Sequence, residues 1–370
     1  MYRLDDLDFM REALRLAEEG TGLASPNPRV GAVVVRDGRI AGRGVHRYER
    51  QAHAEVLALA EAGEQARGAT LYLNLEPCCH TGRTPPCTQA ILQAGIARVV
   101  AAMQDPNPRV AGQGFQELAA AGIAVETGCL EREARRLNEA FAKWIRTGIP
   151  FVTLKAAMSL DGRIAAPPPA DGAAAERSWI SSLPARERVQ ALRHQSDALL
   201  SGIGTVLSDD PLLTDRSQRP RRRRLLRVVL DRDLRLPPSA RLVASARRHK
   251  DLLVFHACAD EARRQALEHA GARLEAVAAE AEGVPLEAVL RRLGELEITS
   301  VLLEAGPRLN GAMLAGGWVD KLILFVAPKL LGDTGLPLAA GGGTMPRLPE
   351  GALTCETVGP DVMMEGYLAG

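Results

Sequence analysis

The chain of 370 residues is 46% hydrophobic and 25% charged, the balance of a soluble globular protein, and it is too long for one ordinary core, so two domains are expected. A formal net charge of +1 gives no global field to recruit nucleic acid. Met1-Tyr2-Arg3-Leu4-Asp5-Asp6 contains no apolar leader segment, no apolar run is long enough to span a bilayer, and six cysteines in this length do not suggest a disulfide framework, so cytoplasm is the expected compartment.

Leu7 to Glu19 repeats apolar residues at helical spacing and stops at Gly20. Val30–Arg36 and Arg39–Val45 flank Asp37-Gly38, the two-residue signal of a type I′ hairpin. His53 to Ala62 reads as a helix ended by Gly63 and Thr70 to Leu75 as a short strand; Pro85-Pro86 opens a helix that runs to Gln93 and stops at Gly95. Strands over Ala97–Met103 and Ile123–Glu126 and a closing helix over Glu131–Arg146 complete the alternation, so the first half is predicted as a three-layer α/β domain. Thr147-Gly148-Ile149-Pro150 is the boundary, giving expected domains at 1–147 and 150–370.

The second half restarts the alternation. Strands are predicted over Phe151–Ala157, Ala198–Leu200, Leu225–Leu230, Leu252–Phe255, Ser300–Leu303 and Lys321–Ala327, and helices over Pro184–Gln195, Pro285–Leu293 and Arg308–Ala315. That order implies a mainly parallel sheet with helices on both faces. Ala165–Ala175 is a Pro- and Ala-rich loop, and the basic run Arg219–Arg224 reads as a solvated loop, with a polyanion site as its alternative.

The chemistry concentrates in His53-Ala54-Glu55, Glu76-Pro77-Cys78 and Cys87. One imidazole and two thiolates bind zinc and leave the fourth position open, as a catalytic zinc requires. His-x-Glu followed by Pro-Cys is the pattern of zinc deaminases, in which the Glu moves protons and does not bind the metal. The second Cys here follows the first by nine positions, and the extra residues read Cys79-His80-Thr81-Gly82-Arg83-Thr84-Pro85-Pro86. A closed structural zinc knot would need a fourth ligand, which Cys79 or His80 could supply. In the second half no GxGxxG fingerprint follows the first strand, but two glycine turns, Ser201-Gly202-Ile203-Gly204-Thr205 and Glu304-Ala305-Gly306-Pro307-Arg308, each follow a strand and open a helix, where backbone N–H groups bind phosphate. Lys155 interrupts the apolar strand Phe151–Ala156, a costly position for an ammonium without a partner or a task.

The string Pro77-Cys78 through Gly82-Arg83-Thr84-Pro85-Pro86-Cys87 resembles the deaminase half of the bifunctional riboflavin-biosynthesis deaminase–reductases. Asn27-Pro28-Arg29-Val30-Gly31, Gln104-Asp105-Pro106-Asn107-Pro108, Lys155 through Asp161-Gly162-Arg163, Ser201 through Thr205, Asp209-Asp210-Pro211 and Glu304-Ala305-Gly306-Pro307 carry the same resemblance over nearly the whole chain. It implies a cytidine-deaminase-like three-layer α/β domain followed by a dihydrofolate-reductase-like α/β domain. It implies zinc on His53, Cys78 and Cys87, proton transfer by Glu55, and deamination of a phosphoribosylamino-pyrimidine. NADPH then reduces the ribosyl group to a ribityl chain, with Lys155 as a catalytic residue.

By the same resemblance Ala157, Trp179, Thr205, Asp209, Gly306, Pro307, Arg308, Leu309, Asn310, Gly311 and Ala312 hold NADPH. Asn27, His46, Arg83, Arg177, Arg193, Leu213, Arg216 and Glu304 contact substrate: Arg83, Arg193 and Arg216 on phosphate, Glu304 on hydroxyls. From the residues alone, Asn27 also reads as a turn former and His46 as a surface imidazole. Arg177 stands where the family usually has Ser, after a Pro-rich loop longer than usual. The resemblance further implies a homodimer, a small-molecule substrate, and no nucleic acid or membrane partner. A deaminase acting on bases in nucleic acid, with the second half a binding module, is the rival; near-neutral charge and the lack of interleaved basic and aromatic residues oppose it.

Overall fold

The computed structural model describes residues 4–82, 84–166, 179–278 and 283–368. The chain divides into two compact units, Met1–Ile149 with Pro220–Arg223, and Pro150–Arg219 with Arg224–Gly370.

In the first unit a five-stranded sheet runs in the order Arg39–Val45, Gly31–Arg36, Thr70–Leu73, Arg98–Ala101, Ala124–Thr127. The first three strands pair antiparallel and the last two join in parallel. The hairpin turn puts Asp37 at φ 49° and Gly38 at φ 73°, the two left-handed residues that a type I′ turn demands. Helices Leu4–Glu18 and Ala54–Ala62 both pack on the hairpin strand Gly31–Arg36, and the buried face of that strand, Ala32 to Val35, lies in one core with Met10, Ala13, Ala58 and Leu71. Two glycines of the edge strand let the second helix come close: a Cβ at Gly44 would stand 1.9 Å from the Ala54 carbonyl oxygen, and one at Gly42 would stand 2.1 Å from that of Ala58. Backbone-to-backbone contact of this kind fixes the start of the helix, where His53 and Glu55 sit.

The helix expected over Glu131–Arg146 is two helices, Glu131–Leu137 and Glu139–Thr147. Asn138 breaks it. Its buried side chain accepts from Arg29 N at 2.8 Å and donates to Arg29 O at 3.0 Å, so a long-range tie to the strand-entry backbone fixes the chain where the two helices meet.

The second unit is built on a nine-stranded sheet in the order Arg273–Ala276, Leu252–His256, Leu226–Leu230, Ala198–Gly202, Ser300–Leu303, Phe151–Ser159, Lys321–Ala327, Asp361–Tyr367, Leu353–Val358. All pairings up to Lys321–Ala327 are parallel, and the last two are antiparallel. Interior strands such as Leu252–His256, next to the edge strand, are buried along their whole length, as a parallel sheet covered on both faces requires. Both units are mixed α/β, as the alternation of strands and helices along the sequence predicts. No helix among the described residues is long and apolar enough to cross a membrane.

Candidate active sites

In the first unit the sheet and two helix starts bring three ligand side chains together. His53 is the N-cap of helix Ala54–Ala62, Cys87 is the first residue of helix Cys87–Ala94, and Cys78 lies in the loop beyond strand Thr70–Leu73. Their ligand atoms all lie within 4.8 Å of one another, with His53 Nδ1 3.1 Å from Cys87 Sγ and 3.5 Å from Cys78 Sγ. A tetrahedral zinc with ordinary Zn–N and Zn–S bonds asks for N···S separations of about 3.6 Å, so the donor set fits the ion. Cys79 is not part of the cluster; its Sγ lies 3.9 Å from Gln113 Oε1.

The charges suit a cation. A hydrogen bond from Cys87 and then His53 draw the Cys78 thiol down to about 4 against the opposing effect of burial, and the backbone N–H of Cys87 also points at Cys78 Sγ, 3.4 Å away. Cys87 moves the other way, because its proton bonds the Cys78 sulfur and its site is buried. His53 is raised by its bond to Cys78. Glu55, on the first turn of the helix and 4% exposed, is pushed up by burial.

His46 is a buried neighbour of this cluster and not a surface imidazole: it is 4% exposed, and its ring stands edge-on to His53 at 5.3 Å between centroids. Its Nδ1 faces Ala52 O at 3.3 Å, which only accepts, so Nδ1 carries the proton and Nε2 accepts from Asn27 Nδ2 at 3.0 Å. Burial, and then the charge of His53, lower its pKa and keep this ring neutral. The turn bearing Asn27 is tied down by Arg29, whose carbonyl oxygen also accepts from buried Asn74 at 2.9 Å. Within this unit Arg222 donates to Ser25 O at 2.8 Å and lies 3.5 Å from the centroid of the Tyr48 ring, so this member of the basic run is a packed side chain and not a solvated one. Arg83 and Arg177 lie outside the described residues.

In the second unit Lys155, Arg193 and Glu304 meet. Arg193 Nε and Nη2 donate to the two oxygens of Glu304 at 2.7 and 3.0 Å, and Lys155 Nζ lies 3.3 Å from Glu304 Oε2. Burial alone would raise the Glu304 carboxyl; the charges of Arg193 and Lys155 overcome it and hold the group down at about 2. The remaining guanidinium nitrogen of Arg193, Nη1, donates to Thr214 O at 3.0 Å, so the side chain expected on a phosphate is engaged by the protein.

The two glycine turns adjoin. A Cβ at Gly306 would meet Thr205 Oγ1 at 3.9 Å, and one at Gly202 would meet Leu309 Cδ2 at 3.6 Å. Gly202 and Gly306 are the N-caps of helices Ile203–Asp209 and Pro307–Ala315, at the C-terminal ends of neighbouring parallel strands. Paired helix starts at such an edge suit the phosphates of a dinucleotide. Asn310 is buried there, with Nδ2 on Ala305 O and Leu338 O and with no partner for Oδ1. Pro307 and Ala157 are half-buried, while Arg308, Ala312 and Asp209 are exposed. Gly311 is a packing position, since a Cβ there would stand 2.1 Å from Ala340 O.

Three further residues were expected in contact with cofactor or substrate. Leu213 packs its side chain with Leu199 and Leu225, so any contact from it falls to its backbone. Trp179 is 64% exposed, with Arg186 4.9 Å from its ring centroid, and Arg216 is exposed, its N–H on Gln190 Oε1 at 2.9 Å. Sequence reasoning gave no role to Glu76, although it lies in the Glu76-Pro77-Cys78 motif, nor to Asn74 and Asn138; all three are buried polar side chains of the first unit. The first two had a signal, as polar residues within Leu73-Asn74-Leu75-Glu76-Pro77, where a strand end turns apolar.

Residues 4–103 match the family model of the cytidine and deoxycytidylate deaminase zinc-binding region, and residues 150–364 match that of the RibD C-terminal domain. The riboflavin biosynthesis protein RibD of Escherichia coli is 42% identical over 98% of this chain and 99% of its own length, and that of Synechocystis is 42% identical over 99% and 97%. Among solved structures, Acinetobacter baumannii RibD aligns with a TM-score of 0.85 at 38% identity, covering 99% of both chains. A diaminohydroxyphosphoribosylaminopyrimidine deaminase/5-amino-6-(5-phosphoribosylamino)uracil reductase from Thermotoga maritima aligns with a TM-score of 0.82 at 34% identity, again over 99% of each.

Proposed function

Because the chain belongs to the RibD family, the bifunctional deaminase and reductase of riboflavin biosynthesis, we propose that its two reactions divide between residues 1–147 and 150–370 and are carried by the two clusters just described. The observation that carries this reading is the convergence of His53, Cys78 and Cys87 beside a buried Glu55.

His53, Cys78 and Cys87 would hold the zinc, whose Lewis acidity would make a water nucleophilic near neutral pH. Glu55 takes that water's proton and delivers it to the ring nitrogen and then to the departing amine. Burial, by raising its pKa, suits it both to accept and to release. His46 fixes the Asn27 amide, so that Asn27 presents Oδ1 to the exocyclic amine of the pyrimidine. Arg83 recognises the ribose phosphate with its planar fork of donors.

In the second domain Ala157, Trp179, Thr205, Asp209 and the turn from Gly306 to Ala312 hold NADPH, which supplies a hydride equivalent when bound. Glu304, kept ionised by Arg193 and Lys155, accepts hydrogen bonds from the ribose hydroxyls. Lys155 donates the proton that balances the reduction. Arg193 acts through Glu304, which leaves the phosphate to Arg216 and Arg177, with the Leu213 backbone beside them. A cytoplasmic homodimer acting on a small molecule, with no nucleic-acid or membrane partner, completes the proposal. The test is ammonia release from the phosphoribosylamino-pyrimidine against a single-stranded oligonucleotide, with NADPH consumption followed in parallel. Release from the oligonucleotide alone would overturn it.

A further inference from the structure

Glu76 is 3% exposed, yet among the described residues no arginine or lysine pairs with it. Its carboxylate is satisfied by backbone N–H groups alone. Oε2 accepts from Asp105 at 3.1 Å and Gly112 at 2.9 Å, and Oε1 accepts from Gly114 at 3.0 Å and Phe115 at 3.4 Å. Four donors on one buried carboxylate offset its desolvation, and the last two belong to the first turn of helix Gln113–Ala120, whose dipole favours an anion. Glu76 thus closes both ends of the 105–112 segment at one point.

That point adjoins the zinc ligands. Strands Thr70–Leu73 and Arg98–Ala101 are parallel neighbours, so the loops leaving their C-terminal ends lie side by side, and one of them carries Cys78. The backbone at Gly114 is so close to Pro77 that a Cβ would stand 2.2 Å from the Pro77 carbonyl oxygen. The segment is also stiffened from within: Asp105 Oδ1 accepts from Asn107 N at 2.7 Å, and Asn107 Oδ1 accepts from Arg109 N at 3.1 Å.

We propose that Glu76 is a positioning residue of the deaminase site, holding the Asp105–Gly112 segment against Pro77-Cys78 as one wall of the pyrimidine pocket. The inference rests on the deaminase reading above. Glu76→Gln places an amide nitrogen against two N–H donors whichever way it turns, so it loosens the segment while keeping size and shape.

The full-length zinc enzyme is assayed on the phosphoribosylamino-pyrimidine. Ammonia release by the wild type tests the deaminase reading, and the variants test this one. E76Q is expected to keep one zinc per chain, to raise KM for deamination roughly 10-fold or more, as loss of charge-assisted bonds implies, and to speed amide exchange over residues 105–115. Exchange over 54–62 and 87–94, and NADPH-dependent reduction of supplied deaminated substrate, should not change. Faster exchange over 105–115 with an unaltered KM would overturn the proposal, as would loss of zinc. Should E76Q fail to fold, Asn107→Ala loosens the same segment from its half-exposed side: it is expected to raise KM in the same direction, and Asn107→Asp, which keeps the acceptor for Arg109 N, to restore it. An unchanged KM in N107A, or no rescue by N107D, overturns the proposal.

Discussion

Arg193 holds Glu304 by both carboxylate oxygens, through Nε at 2.7 Å and Nη2 at 3.0 Å. Both side chains are about nine-tenths buried, and Lys155 Nζ approaches the same carboxylate at 3.3 Å. Two cations on one anion make a cluster in which neither cation is interchangeable with the other. The fork of Arg193 fixes orientation, while the ammonium of Lys155 has only one near contact with the acid and can turn to a ligand.

Arg193→Lys keeps the charge but cannot make the two-pronged bond. Reduction of deaminated substrate should therefore lose about 10- to 100-fold in kcat/KM, the equivalent of about 1.5–3 kcal/mol for a bond to a charged group. Ammonia release should stay at the wild-type rate. Parallel ammonia and NADPH assays read both outcomes. Equal losses in the two reactions would mean that Arg193 supports the fold and not Glu304.

Zinc content separates the sulfurs. Cys87→Ser removes one of three ligands and should lose metal and deamination together. Cys79→Ser should keep both, since Cys79 Sγ sits 3.9 Å from Gln113 Oε1 and outside the ligand cluster. Metal analysis of the purified variants decides the matter, and metal loss in Cys79→Ser would redraw the ligand set.

Much of this molecule was legible from its sequence because the informative residues are short-range signals. Asp37-Gly38 specified a turn that needs two positive φ angles, and His53, Cys78 and Cys87 advertise metal by residue type and by the His-x-Glu and Pro-Cys pattern around them. What stayed hidden depends on partners far away in the chain. Asn138 looks like an ordinary helix residue until Arg29, 109 positions earlier, takes both halves of its amide. Glu76 stands out as a polar residue at a strand end, but its partners, N–H groups up to 39 positions downstream, are visible only in the fold. Leu353–Val358 was missed for another reason: its residues are nearly all exposed, so the strand has no apolar alternation to read. Arg193 was assigned to phosphate by the family resemblance, and only the fold shows its donors meeting Glu304 and Thr214.

Asp231 predicts a pH dependence. It is 0% exposed; Oδ2 accepts from Leu236 N at 2.7 Å, whereas Oδ1 has no partner, and burial raises its pKa above the usual 3.8. A raised folded-state value contributes stability at pH below the unfolded value and loses it as pH climbs through the folded one. Asp231→Asn keeps the bond to Leu236 and carries no charge to bury. The variant should match or exceed the wild type in melting temperature at neutral pH, with an advantage that shrinks on acidification. Melting curves at several pH values are the measurement, and a difference that does not vary with pH would show that Asp231 is not the titrating group.

Glu55 offers the sharpest separation of the two chemistries. It stands in the first turn of the helix capped by His53, is 4% exposed, and is proposed to move protons without binding the metal. Glu55→Gln preserves the shape of the side chain and all three zinc ligands but cannot accept a proton. Deamination should fall by at least the 10²- to 10⁴-fold typical of a general acid–base group, with zinc still bound. Reduction of already deaminated substrate should proceed near the wild-type rate, because Lys155 and Arg193 make their described bonds to Glu304 and Thr214 within the second unit. The converse variant, Lys155→Ala, should suppress NADPH consumption and leave ammonia release intact. The two variants, assayed for both products and for zinc, form a complete cross. If Glu55→Gln abolished reduction of supplied deaminated substrate in a folded, zinc-loaded protein, the division of labour at Pro150 would fail.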